Sequence, residues 1–150
     1  MRINKVTEIE NNISEIDLTF LNQSTKCIMP ISATEVTDIA PDSKLRAIVN
    51  FLTHLSPVMI TDTSDDTTIF TYKCNHLQLI LNANNISQFE KLLKNKNAFM
   101  TMIPSNSHID YYIGISYYRN LTTDPQERKE ISDWSYYQVT DILESILTYE

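Results

Sequence analysis

Residues 108–120 read HIDYYIGISYYRN, and the period of their side chains decides the fold class. Successive side chains of an extended strand point to opposite faces. Tyr111, Ile113, Ile115 and Tyr117 then share one face, with the composition of a core. Tyr112, Gly114, Ser116 and Tyr118 share the other, a shallow dish of two phenols with almost no side chain between them. That dish is expected either to receive a helix of the same chain or, if open, to offer tyrosine anchors to a partner. Just upstream, FMTMI (99–103) reads as a second strand, joined to the first across PSNS (104–107).

Working outward, TDPQE (123–127) carries a helix start, with Asp124 as cap, Pro125 at the first position and Glu127 at the third. Ile131, Trp134, Val139, Ile142, Leu143, Ile146 and Leu147 keep helical spacing almost to Glu150. Upstream, NISQFEKLLKNKN (85–97) predicts a helix with Asn85 and Gln88 as a capping box. Its buried side is Ile86, Phe89, Leu92 and Leu93. In PDSKLRAIVNFLTHLSP (41–57), Leu45, Ile48, Val49, Leu52 and Leu55 form one apolar stripe that Pro57 ends. PVMIT (57–61) and TTIFTYKCNHLQLILN (67–82) read as strands, the second with a bend or bulge near Asn75.

Nearer the N-terminus, Ile16, Leu18 and Phe20 alternate, NQST (22–25) turns the chain, and Cys27, Met29 and Ile31 alternate again. The first sixteen residues suit a helix or a strand equally. Short strands interrupted by three helices, with no repeat or linker, predict a single α+β domain over residues 1–150. Its expected form is a mainly antiparallel sheet with about three helices packed largely on one face.

Composition limits the function. The chain has 150 residues, 42% hydrophobic and 21% charged, as in ordinary globular proteins. No apolar run is long enough to span a bilayer. The start, MRINKVTEIENN, lacks the apolar region of a secretory signal, so the expected location is cytoplasmic and no membrane partner is expected. Cys27 and Cys74 belong to no C-x-x-C pair and are expected as reduced, buried thiols. The net charge of −7 divides as −5 over residues 1–70, +3 over 71–99 and −5 over 100–150. Such a surface repels nucleic acid and anionic lipid and attracts basic proteins.

Gly114 is the only glycine. Loops that wrap backbone amides around phosphate need residues without a Cβ. A Walker loop, a dinucleotide fingerprint and a G-x-S-x-G elbow are therefore all absent, and no cofactor is expected.

The remaining candidates for chemistry are few. TDTSDDTT (61–68) groups Asp62, Asp65 and Asp66, without the spacing or glycine of a calcium loop. It reads as a solvated hairpin turn or as contact points for a basic partner. Cys74 and His76 form C-x-H on an expected strand, on one face, where they suit a buried pair better than a thiol nucleophile with its base. His108 and Asp110 read as an ordinary polar pair, and Lys91, Lys94 and Lys96 as charges complementing a helix C-terminus. No stretch carries a recognisable family motif. The expectation is a non-enzymatic acidic binding protein, most concretely an immunity protein that neutralises a basic toxin such as a nuclease. Its expected contact residues are Asp62, Asp65, Asp66, Glu35, Asp38, Tyr112 and Tyr118. The alternatives are an acidic chaperone for a secreted effector and a small cofactor-free enzyme using Cys74 and His76.

Overall fold

Residues 2–16 form two strands and the turn between them, not a helix. A computed structural model describes residues 2–20, 23–29 and 41–149. In it Asn12 adopts φ 61°, a left-handed conformation that asparagine tolerates better than most residues. The turn at Asn11–Asn12 folds β1 (Arg2–Glu10) back on β2 (Ile13–Phe20), and β2 pairs in turn with β3 (Gln23–Met29). This meander is antiparallel throughout, with register shifts in β1 between Ile3 and Lys5 and between Glu8 and Glu10. Ser14 and Ile16 turn one face of β2 inward, and Ile16 is fully buried.

After α1 (Pro41–Leu52) come β4 (Met59–Asp62), β5 (Thr68–Cys74), α2 (Ile86–Asn95), β6 (Ala98–Ser105), β7 (His108–Tyr117) and α3 (Pro125–Thr148). The four strands make a second antiparallel sheet in the order β4-β5-β7-β6. The molecule is thus α+β, with seven strands in two sheets and three α-helices among the described residues. Alternation along a strand sets which side chains share a face; it does not say how many sheets the strands form, and among the described residues the meander pairs only with itself.

The core lies on the face of the second sheet that carries Phe70, Tyr72 and Cys74 of β5 and Ile113, Ile115 and Tyr117 of β7. Into it α1 sends Ile48, Val49 and Leu52, α2 sends Phe89 and Leu93, and α3 sends Ile131, Val139, Ile142, Leu143, Ile146 and Leu147. Each such side chain contributes about 1.5–3 kcal/mol by leaving water. Residues 3.6 apart on a helix and 2 apart on a strand meet here because each element buries its own stripe.

Local signals at the helix ends fared unevenly. Asp124 accepts a hydrogen bond from the Gln126 amide at 3.2 Å, and Pro125 opens α3 as its missing N–H allows. Helix α1 stops at Leu52 rather than reaching Leu55, because Thr53 bridges to Cys74 and the Asn75 amide donates to the Leu52 carbonyl at 2.7 Å. Leu55 is consequently 68% exposed. Strand β5 ends at Cys74 instead of running to Asn82. His76 turns the chain at φ 59°, and a 3₁₀ turn (Leu77–Leu79) drops Leu77 into the core. Asn85 precedes α2 but caps nothing in it. Its buried side chain accepts from the Asn82 amide at 2.8 Å and donates to the Ile80 carbonyl at 2.7 Å, closing the preceding turn.

No helix among the described residues is long and apolar enough to cross a membrane.

Candidate binding surface on the second sheet

Met59, Thr71, Gly114 and Phe99 stand side by side across the four strands, on the face opposite the core. The lone glycine has a steric explanation there. A Cβ at Gly114 would meet the Phe99 ring at 2.4 Å, so only glycine lets that ring lie across the strand. An aromatic ring laid over a cross-strand glycine covers backbone that no side chain protects. The dish is therefore filled by a side chain of the neighbouring strand, and a helix is not what covers Gly114.

Around this row opens a hollow of about 490 Å³, with Val58, Met59, Ile69, Phe99, Ile103 and Tyr112 in its lining. Met59 is 56% exposed, Phe99 44% and Ile103 49%, which is unusual for large apolar side chains standing together. Threonines 61, 71 and 101 supply its hydroxyl edges. At one end of the face, Asp110 sits 3.4 Å from His108 Nε2 and 3.8 Å from Lys73 Nζ, the polar pair expected with a lysine added. Such exposed pairs contribute about 0–1 kcal/mol.

At the other end lies the β4–β5 hairpin with its three carboxylates, and the structure separates them. Asp62 is on the core side of β4. It accepts from Thr68 Oγ1 at 2.7 Å and from the Leu121 amide at 3.3 Å, tying the hairpin to the segment before α3. These bonds, the Thr68 hydroxyl foremost, hold its pKa below the ordinary 3.8. A lowered folded-state value means that Asp62 stabilises the fold above the ordinary carboxylate range and loses that contribution as pH falls through its folded pKa. Asp62→Asn is accordingly expected to lower the melting temperature at neutral pH and to weaken its fall on acidification. Thermal melts on either side of 3.8 read the difference, and identical pH slopes in both proteins would contradict it.

The rest of the loop is the solvated turn that its composition suggested. The Thr63 amide donates to the Thr67 carbonyl at 2.8 Å, the two hydroxyls meet at 2.6 Å, and the Asp65 amide donates to Thr63 Oγ1. Asp66 takes φ 59°, standing in for the glycine that such turns usually use. Asp65 and Asp66 remain exposed at the tip, where Asp66 Oδ1 accepts from Asn120 Nδ2 at 3.4 Å.

The other expected contact residues divide. Tyr112 lines the hollow. Tyr118 does not share its face, because β7 ends at Tyr117 and alternation ends with it. Tyr118 instead lies 77% exposed against Tyr117, whose ring packs on Trp134 at 5.4 Å. The Arg119 guanidinium rests 5.7 Å over Tyr117 and bonds Glu127. Glu35 and Asp38 lie outside the described residues.

Thiol chemistry loses its geometry. Cys74 is buried, its Sγ 3.7 Å from Thr53 Oγ1, and burial pushes its pKa up to about 12. His76 has left the strand for the turn and stacks on Phe51 at 5.0 Å, so the two residues do not form the pair on one strand face that C-x-H implied. No cluster of three or more potential metal ligands occurs among the described residues.

Sequence reasoning overlooked Val58, Met59, Phe99 and Ile103 as surface residues, yet a signal existed. A two-residue turn at Asn106–Ser107 sets Ser105 opposite His108, and counting back places Phe99 opposite Gly114. Fold and surface together define a two-sheet α+β domain with an apolar sheet face, uncovered among the described residues, beside an acidic hairpin tip. Comparison with known proteins finds no family model, no curated sequence and no solved structure that matches this chain.

Proposed function

We propose that the chain is a non-enzymatic acidic binding protein that seats a basic protein partner on the uncovered face of the second sheet. Its most concrete form is an immunity protein that neutralises a toxin such as a nuclease. The supporting observation is the apolar hollow, open to solvent, at the end of which Asp65 and Asp66 stand on the hairpin that supplies Met59, Thr61 and Ile69. A desolvated apolar centre with charge at its rim is the division of labour found in tight interfaces. The rim speeds encounter and selects sign; the centre slows departure. A cationic cleft built to hold phosphate chains is a fitting counterpart for a chain of net charge −7.

The test begins with a tagged chain and mass spectrometry of what it retains, followed by titration of the purified partner's own activity. An immunity protein abolishes that activity at one equivalent. Asp65→Asn together with Asp66→Asn is expected to slow association several-fold, within the roughly 10- to 1,000-fold that steering can supply, and to flatten its salt dependence. Unchanged on-rates, or recovery of acidic partners alone, would remove the electrostatic reading. Cys74→Ala is expected to leave binding intact; a catalytic turnover lost with the thiol would favour the enzyme instead.

A second reading, a chaperone for a secreted effector, draws on the same hollow, since exposed apolar surface suits an extended client. A chaperone protects a segment of its partner from protease without inhibiting a folded activity, which separates the two.

A further inference from the structure

Each sheet edge offers unpaired backbone groups, and folded proteins blunt such edges with charge, shortness or bulges. Among the described residues, three of the four edges are blunted. Strand β1 carries Arg2, Lys5, Glu8 and Glu10 and two register shifts. Strand β3 has Lys26 at its middle, and β4 is four residues long and ends on Asp62. Strand β6 differs. Its eight residues, AFMTMIPS, contain no ionisable side chain, and Met102 and Ile103 are exposed on opposite faces.

The direction of its free groups follows from the ladder. The Ser116 amide donates to the Asn97 carbonyl, which sets the phase of the β6–β7 pairing. Antiparallel pairs alternate between hydrogen-bonded and non-bonded, so Phe99, Thr101 and Ile103 turn their backbone groups toward β7. Ala98, Met100, Met102 and Pro104 turn theirs outward. Pro104 fits that scheme, since its missing donor costs nothing within the sheet.

We propose that β6 is a self-association edge, at which two copies of the chain pair antiparallel through residues 98–102 about a two-fold axis at Met100. In that register Ala98 of each copy faces Met102 of the other and Met100 faces Met100, giving about six hydrogen bonds between copies. Every outward donor of the segment is used, and Pro104 falls just beyond it. Registers that bring Pro104 inside place its ring where a donor is needed. A copy of the chain is the occupant the surface favours. β6 has no carboxylate to hold a basic partner, and for two molecules each of charge −7 an uncharged strand is where contact is least opposed. Pairing covers Met102 and joins the two uncovered faces into one continuous surface, with Phe99 of one copy opposite Thr101 of the other. The two-fold makes the contact isologous and closed. This inference rests on the edge and not on the proposed partner, so either can fail alone.

Sedimentation equilibrium tests it. The wild-type chain is expected at twice its 17.4 kDa, and Met102→Glu, an exposed position, as a monomer of unchanged circular dichroism with association weakened about tenfold or more. Met100→Cys is expected to cross-link two copies on oxidation, since facing Cα atoms about 5.5 Å apart suit a disulfide. Ile103→Cys, six residues out of register with its mate, is expected not to. The wild-type protein, with its own two cysteines, serves as the oxidation control. A wild-type monomer at all concentrations overturns the proposal, as does a dimer that survives Met102→Glu or fails to cross-link at position 100.

Discussion

Tyr72→Ala is expected to lower the unfolding free energy by about 3–5 kcal/mol, as truncation of a buried aromatic does. Native domains hold only about 5–15 kcal/mol in total, so the variant should sit near the edge of folding. Tyr72 is fully buried at the centre of β5, between α3 and the β7 side chains. Its hydroxyl meets Ser135 Oγ at 2.6 Å on α3, and Ser135 also donates to the Ser132 carbonyl at 2.7 Å. Burial raises the phenol's pKa, partly offset by that hydrogen bond, so the ring stays neutral. Tyr72→Phe keeps the ring and removes one bond, and Ser135 keeps its other partner; the expected loss is about 1 kcal/mol. Urea titrations of both variants measure the pair. A loss under about 1 kcal/mol for alanine would mean that α3 does not pack on β5 as described.

Asn85→Ala is expected to cost about 2–4 kcal/mol without removing any apolar contact, because two buried hydrogen bonds vanish together. Asn85 is fully buried, and its amide holds the Asn82 N–H and the Ile80 carbonyl at once. Asn85→Asp keeps the acceptor but sets a buried carboxylate oxygen against the Ile80 carbonyl, and should cost at least as much as alanine at neutral pH. Urea unfolding gives the order, and faster hydrogen exchange over residues 80–86 localises the damage. Equal stability of Asn85→Ala and wild type would show that the two buried hydrogen bonds contribute nothing net, since even an ordinary helix cap loses stability as alanine.

How far the residues alone could be read is visible in these two positions. Tyr72 is legible as core, since Phe70, Tyr72 and Cys74 alternate with polar neighbours and the period is intrinsic to an extended chain. Asn85 is legible as a polar residue before a helix, but its partners lie in the preceding turn. That turn exists because His76 breaks β5 early and Leu77 is drawn into the core. The bend expected near Asn75 marks where the strand falters, but nothing local says that the chain leaves the sheet there for a turn rather than continuing to Asn82. The same limit separated Tyr112 from Tyr118: alternation holds only while pairing lasts, and β7 ends one residue too soon. In the acidic hairpin, turn chemistry was readable from Asp, Ser and Thr alone. The removal of Asp62 to the core side, to serve Thr68 and Leu121, was not.

Taken by itself, the order of residues determined the kinds of element: the start of α3 at Asp124, the strands on either side of Asn106, the core stripes, and the exclusion of glycine-built phosphate loops. Those properties depend on neighbours a few positions away, where backbone sterics and side-chain period act. Tertiary structure alone decided that the strands divide into two sheets, that Phe99 covers Gly114, and that, among the described residues, one face of the second sheet stays open and β6 is its uncharged edge. Each is a contact, or a missing one, between segments brought together only by burial of the common core.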